Sequence, residues 1–307
     1  MLRRVLLAAS ASDRVRRVIS SAPVTRNVVA RFVAGDTSDD ALAVTRRLLD
    51  DGLLVTLDYL GEDAVDPQRA AAVTDEYVRL LGALAAAGLS GGGRAEASVK
   101  PTAVGLDLAE HGEKRARENI ARICAAAREA GTTVTLDMEE NSRVEPTLRI
   151  LGQLRPEFPD LGCVVQSYLR RGPQDCRALA VAGSRVRLCK GAYNAAPGVA
   201  FTSRAEVDRS YARCLRVLLA GPGYPMLATH DPRLIRIAAA SGRPAGSFEY
   251  QMLYGIRPQE QLRLAGGGAR VRVYVPYGSD WYGYLVRRLA ERPANLLFFL
   301  RSLASRG

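Results

Sequence analysis

The stretch RVRVYVPYGSDWYGYLVRRLAERPAN, from Arg270 to Asn295, reads as strand, tight turn and helix. Side chains alternate along a strand, so Val271, Val273 and Val275 share one face while Arg270, Arg272 and Tyr274 share the other. Pro276 and Gly278 end the strand, and Ser279 or Asp280 offers a cap for the helix that follows. On that helix Tyr282, Leu285, Val286 and Leu289 recur at the spacing of an apolar stripe, with Tyr284, Arg287, Arg288 and Glu291 opposite. Two adjacent guanidiniums make a forked clamp for a small carboxylate. A solvated face with an internal Arg–Glu pair explains the same spacing.

Working outward, the same strand-then-helix unit recurs upstream. Candidate strands are Leu53–Leu57, Ala95–Val99, Thr133–Leu136, Gly162–Gln166, Arg185–Cys189, Pro225–Ala228, Gly246–Gln251 and Arg270–Val275. Helical stretches fall near 67–89, 113–130, 145–157, 173–182, 203–220, 231–241, 258–265 and 281–292, with a last helix near 295–305. Strands alternating with helices pair in parallel through crossovers, and this repeat predicts a (β/α)8 barrel. An open doubly wound sheet is the alternative, but its G-x-G-x-x-G turn after the first strand is missing. Residues 1–52 read as an N-terminal helical segment, capped internally around Thr37–Asp40, and residues 53–307 as the barrel.

Strand parity supports closure, because barrel strands turn one face to the helices and one to the lumen. The outward sets read as Val55/Leu57, Ala97/Val99, Val134/Leu136, Cys163/Val165, Val186/Leu188, Met226/Ala228, Phe248/Tyr250 and Val271/Val273. The other parity, at or near the strand ends, carries Thr56, Asp58, Ser98, Lys100, Thr135, Asp137, Gln166, Arg185, Arg187, Thr229, Glu249, Gln251, Arg272 and Tyr274. Charged and amide groups are costly to bury without partners. A ring of them at the C-terminal ends of barrel strands therefore reads as a site, or as paired struts within one.

The chain's formal charge of +11 allows an anionic partner. The arginines are nevertheless dispersed, without a basic aromatic tract, so nucleic acid is not expected. Five cysteines, an odd number with no C-x-x-C pair, fit reduced thiols and no zinc site. The two histidines are too few for a His-rich metal centre, and no metal is expected. The apolar run Val5–Ala9 is too short for a signal core or a membrane span, so a cytoplasmic location is expected.

Several luminal groups could carry chemistry. Arg187 and Lys190 place two cations at one strand end before Gly191, Ala192 and Tyr193, an arrangement that can cradle phosphate. Lys190 could equally be a surface lysine or a Schiff-base nucleophile. Asp137 could act as a base or pair with Lys100. Gln166 and Gln251 could bond a heterocycle rim, and Thr229–His230 could contact a nucleotide or belong to a helix cap with Asp231 and Pro232. Glu249 is expected to pair with an arginine such as Arg272.

FEYQMLYGI (Phe248–Ile256), VRLCKGAY (Val186–Tyr193) and the VPYG, DW, RRL and ERPAN segments of Val275–Asn295 resemble the bacterial proline dehydrogenase family, in its monofunctional form. SVK (Ser98–Lys100), LDMEE (Leu136–Glu140) and VVQSYL (Val164–Leu169) follow the same order. Cys189 departs from the β-branched residue often found there. The resemblance implies a distorted barrel with extra N-terminal helices and the last barrel helix over the C-terminal mouth. It also implies an FAD enzyme that oxidises L-proline to 1-pyrroline-5-carboxylate and passes electrons to a membrane quinone. A separate pyrroline-5-carboxylate dehydrogenase would then be the pathway partner, and peripheral contact with the inner face of the cell membrane is implied.

By the same resemblance, Arg287 and Arg288 bind the proline carboxylate with Lys100 as a further cation. Tyr274 and Leu253 line the ring pocket and Tyr193 closes it. Asp137 and Arg187 are the implied catalytic groups. Met138, Gln166, Arg187, Lys190, Gly191, Ala192, Thr229 and His230 are implied FAD contacts, and Glu291 a latch to Arg288 beside them. A hydroxyproline dehydrogenase, a Schiff-base lyase and a basic binding protein are the competing functions.

Overall fold

The computed structural model describes residues 29–61 and 64–291, the side chains of 287–291 excepted. Eight parallel strands close into a barrel in simple sequential order. They are β1 (Leu54–Tyr59), β2 (Ala95–Val99), β3 (Val134–Leu136), β4 (Gly162–Gln166), β5 (Arg185–Cys189), β6 (Tyr224–Ala228), β7 (Glu249–Leu253) and β8 (Val271–Tyr277). The helices are α1 (Ser38–Asp50), α2 (Pro67–Ala86), α3 (Gly112–Glu129), α4 (Asn141–Leu154), α5 (Gly172–Leu179), α6 (Arg204–Ala220), α7 (Pro232–Ala239), α8 (Pro258–Gly266) and α9 (Trp281–Glu291). The eightfold alternation and the closed barrel are as the sequence predicts.

Each helix forms where its caps and its apolar spacing coincide. Thr37 and Asp40 make a reciprocal capping box at α1, and Ser203 and Glu206 make another at α6. On α2, Ala70, Val73, Tyr77, Leu80, Leu81 and Leu84 are buried at intervals of three and four, so one stripe faces the sheet. Full burial of one such leucine contributes roughly 2 kcal/mol. The outward strand residues Val55, Leu57, Ala97, Val99, Leu136, Cys163, Leu188, Val273 and Val275 form the opposing wall of this core.

The parity of β6 is corrected for Met226 and Ala228 alike; Ala228 lies in register with the luminal Gln251. Met226 lies in register with Arg187 on β5 and Glu249 on β7, while Leu227 lies beside Leu188 and Tyr250. Met226 therefore fills the lumen, where its sulfur meets Arg185 Nη2 at 3.6 Å, and Leu227 faces the helices. Both residues are apolar, so alternation alone could not orient β6.

The position of α9 depends on the turn before it. Gly278 has φ +117°, and a Cβ there would sit 3.0 Å from the Leu60 carbonyl oxygen. Only glycine combines that backbone with such a close approach. The chain then crosses toward the end of β1, and Arg69 at the start of α2 holds Asp280 at 3.0 Å. Trp281, Tyr284 and Leu285 pack in one cluster with Leu60 after β1, with Leu253 and Ile256 at the end of β7, and with Val29, Phe32 and Val33. Thus α9 lies against C-terminal strand ends, whereas α1 packs beside β1 and β8. Tyr284, which the helical spacing puts on the polar face, is 6% exposed and belongs to this buried cluster. None of the described helices is long and apolar enough to cross a membrane.

Candidate active site

The luminal residues near the C-terminal strand ends form one connected polar cluster. Asp137, just past β3, receives three hydrogen bonds from three other strands. Ser98 Oγ donates to Oδ1 at 2.9 Å, Arg187 Nη1 to Oδ1 at 2.8 Å, and the Tyr274 hydroxyl to Oδ2 at 2.7 Å. The Arg187 guanidinium lies over the Tyr274 ring at 5.3 Å, and its Nε donates to Gln251 Oε1. Lys100, just past β2, donates to Asp58 Oδ1 at 2.5 Å and lies 4.0 Å from Asp137 Oδ2. Asp58 is thus the closer partner of Lys100. The strand pattern marks Asp58 as luminal without distinguishing it from the other polar residues.

This group holds two carboxylates, one ammonium and one guanidinium, and its charges balance. Burial pushes the Asp58 carboxyl upward against the pull of Lys100. Burial also opposes the Lys100 ammonium, but Asp58 and Asp137 outweigh it and raise its pKa above the ordinary lysine value. Lys100 is therefore charged at neutral pH and already engaged. Burial, with Asp137 and Asp58 nearby, lifts Tyr274 well above the usual phenol range, so it acts as a donor.

Beside this cluster, β4 and β5 form a cradle. Gln166 Nε2 donates to the carbonyls of Met138 at 3.0 Å and Glu139 at 2.7 Å, which fixes the amide orientation. Its Oε1 is buried and has no hydrogen-bond partner among the described residues; Arg187 Nη2 has only the Glu96 carboxylate, at 3.6 Å. Buried polar atoms are rarely left so. Gly191 has φ +95°, and a Cβ there would overlap the Tyr168 ring and sit 2.8 Å from Gln166 Oε1. Glycine is thus required at 191 by its backbone and by the Tyr168 ring packed against it.

Lys190 Nζ donates to Asp208 at 2.5 Å and lies 3.5 Å from Asp231, with a third of its side chain exposed. That engagement removes support from the Schiff-base nucleophile. Thr229 Oγ1 accepts the Asp231 amide at 3.1 Å, and Asp231 caps α7, so the helix-cap account holds for this turn. His230 Nε2 accepts the Leu253 amide at 3.0 Å, which ties the end of β6 to the end of β7. Met138 is buried with Val164, Tyr168 and Leu169. Ala192 and Tyr193 lie exposed on the loop after β5. Arg287, Arg288 and Glu291 lie on the backbone of α9, and their side chains are outside the described residues.

Glu96 is the residue that sequence reasoning missed. It shares the parity of Ser98 and Lys100, and that parity was the available signal. Fully buried, it binds Arg185 Nη2 and lies 3.6 Å from Arg187 and 3.8 Å from Arg272. Burial pushes its carboxyl up, but Arg185, Arg272 and Arg187 outweigh burial and hold it well below the usual range. Arg272 pairs with Glu249 at 2.7 Å, as expected.

A cavity of about 740 Å³ opens at the other end of the barrel, lined by Arg185, Tyr224, Glu249, Arg270 and Arg272 among others. Its luminal charges are already matched by Glu96 and Glu249. Volume and unmet hydrogen bonding thus point to opposite mouths, and the second is the better guide to chemistry.

A closed parallel barrel with a polar cluster at its C-terminal mouth and its last helix laid against that mouth defines the class: a (β/α)8-barrel enzyme. The family model described as Proline dehydrogenase matches residues 41–301, and the chain belongs to that family. It is 40% identical to Proline dehydrogenase 1 of Bacillus subtilis (strain 168), over 99% of each chain. It is 39% identical to Proline dehydrogenase of Deinococcus radiodurans, over 90% of each. Among solved structures, it resembles proline utilization A (PutA) from Bdellovibrio bacteriovorus inactivated by N-propargylglycine, with a TM-score of 0.78 and 27% identity. That match covers 86% of this chain and 32% of the PutA chain, so the present chain spans about a third of that larger protein.

Proposed function

We propose that the protein is an FAD-dependent dehydrogenase that oxidises L-proline to (S)-1-pyrroline-5-carboxylate and delivers the electrons to a quinone. Family membership supports the oxidation of proline, the first step of its catabolism. The observation that carries the cofactor assignment is the unsatisfied buried Gln166 Oε1, beside the backbone of Gly191. A flavin ring presents an N–H donor on its polar edge, which fits the open Gln166 acceptor. Arg187, Gln166 and Met138 would hold the ring, with Lys190, Gly191, Ala192, Thr229 and His230 along the rest of the cofactor. Bound FAD would supply the hydride acceptor, and the protein supplies binding and orientation.

The chain's own residues divide the remaining work. Asp137 accepts from Ser98, Arg187 and Tyr274, so its oxygens are occupied in holding those groups. We assign it to positioning the Arg187 guanidinium and the Tyr274 ring, and not to removing the substrate proton. Tyr274 and Leu253 would wall the proline ring, and Tyr193 would close over it. Lys100 gives one of its three ammonium protons to Asp58, which leaves donors for a substrate carboxylate. Arg287 and Arg288 on α9 would supply the further cations, with Glu291 as a latch to Arg288. Only the neutral amine can release the hydride, so turnover should rise with pH as proline loses its ammonium proton. The net charge of +11 favours approach to an anionic bilayer that carries the quinone.

Anaerobic addition of L-proline to the purified protein tests the reading. A flavin absorbance that bleaches on addition supports it; a colourless protein, or one whose flavin ignores proline, contradicts it. N-propargylglycine, named with the PutA structure, should inactivate this enzyme in a proline-protectable manner.

A further inference from the structure

Arg187 is held from beneath as well as from above. On the upper side its Nη1 donates to Ser98 and Asp137, each at 2.8 Å. On the lower side its Nη2 lies 3.6 Å from Glu96 Oε1. Glu96 is fully buried and is itself fixed by hydroxyl donors from three positions: Thr56 at 2.8 Å, Thr133 at 3.0 Å and Thr135 at 3.3 Å. Arg185 Nη2 closes on its other oxygen. Glu249 completes the layer. It accepts Arg272 Nε at 2.7 Å and Gln251 Nε2 at 2.7 Å, which turns Gln251 Oε1 toward Arg187 Nε.

The luminal charges therefore form a column from one mouth to the other: Arg185, Glu96, Arg272 and Glu249 below, and Arg187, Asp137, Lys100 and Asp58 above. Four cations face four anions, so the column is neutral, and loss of any member leaves a net charge in a medium that screens it poorly. Glu96 occupies the joint, because it is the carboxylate shared by Arg185, Arg187 and Arg272.

We propose that Glu96 is a positioning residue for the reaction, acting through Arg187: its buried carboxylate fixes the guanidinium from the N-terminal side and balances its charge beneath the cofactor. Neither the site assigned by the family resemblance nor the cluster around Asp137 contains it. The inference rests on the proposed function, since it requires a redox cofactor beside Arg187. Electrostatics then gives a sign. Removal of the Glu96 charge makes the column positive, which favours the electron-rich reduced cofactor. Removal of Arg185 makes the column negative and disfavours it.

The test is the midpoint potential of the bound flavin in the wild-type holoenzyme, Glu96→Gln, Arg185→Gln and a control, Arg270→Gln. Arg270 is exposed at the same mouth and stacks on Tyr224, and it belongs to no contact of Glu96. We expect Glu96→Gln to shift the potential positive, Arg185→Gln to shift it negative, and Arg270→Gln to leave it near the wild-type value. A purely structural role would lower stability without moving the potentials in opposite directions. If Glu96→Gln fails to fold, the Arg185→Gln shift against the Arg270→Gln control decides. Unchanged potentials in the folded variants, or an Arg270→Gln shift equal to that of Arg185→Gln, would overturn the inference while leaving the proposed function standing. A wild-type protein that binds no flavin would overturn both.

Discussion

The two mouths of the barrel carry similar residues and differ in what those residues lack. At the N-terminal mouth Arg185, Arg272 and Glu249 sit around a cavity of about 740 Å³, yet their hydrogen bonds are met by Glu96, Gln251 and main-chain carbonyls. At the C-terminal mouth the cluster around Asp137 is just as dense, but Gln166 Oε1 is left over. Buried charge is common to both ends. Unmet hydrogen-bonding capacity distinguishes the end where we propose the ligand from the end whose charges are matched.

The comparison can be broken by substitution at each end, and the largest expected effect is structural. Asp58→Asn leaves Lys100 with only the more distant Asp137. Breaking one partner of a buried pair should lower stability by about 3 kcal/mol, measured as a fall in the denaturant midpoint. A variant as stable as wild type would show that Lys100 is not committed to Asp58. Next, Arg287→Ala or Arg288→Ala should weaken proline binding by about 2–4 kcal/mol, the loss expected when a buried carboxylate is stripped of one cation. The readout is proline KM or direct titration, and near wild-type affinity in both would remove α9 from the substrate site.

Smaller effects sharpen the contrast. Gln166→Leu should weaken flavin binding by about 1–2 kcal/mol through one lost hydrogen bond, with the apoprotein still folded by circular dichroism. Acid should act on the lower layer. Glu96 is held below its ordinary pKa, so its contribution is present above the unfolded carboxyl value of about 4.3 and is lost as pH falls through the folded value. Urea midpoints should therefore drop steeply below about pH 4, and Glu96→Gln should flatten that drop. The same slope in both proteins would assign the acid sensitivity elsewhere.

Much of this was legible in the sequence, for identifiable reasons. Strands β2, β4 and β5 have the predicted bounds because apolar alternation and turn residues agree there. Helix α4 is less legible. The stretch is expected from 145, but the helix begins at Asn141 and carries Pro146 inside it. Strand β7 begins at Glu249 instead of Gly246, and β6 is apolar on both faces, which concealed the luminal Met226. In the site, Asp137, Arg187 and Tyr274 were legible by parity, and the structure brings them together. The Lys100–Asp58 pair and the role of Glu96 were not, because parity places a side chain in the lumen without saying which neighbour it meets. The turn at Gly278, which sets α9 against the strand ends, depends on the Leu60 carbonyl, 218 positions earlier in the chain as numbered.

The central claim is that the cofactor sits at the C-terminal mouth, against Gly191 and Gln166, and not in the cavity of about 740 Å³ at the other mouth. FAD titration of three apoproteins, wild type, Gly191→Ala and Arg270→Ala, tests it most directly. The account predicts at least a roughly tenfold loss of affinity in Gly191→Ala, as a methyl group enters the cradle, and wild-type affinity in Arg270→Ala. Unaltered binding in Gly191→Ala together with weakened binding in Arg270→Ala would contradict it.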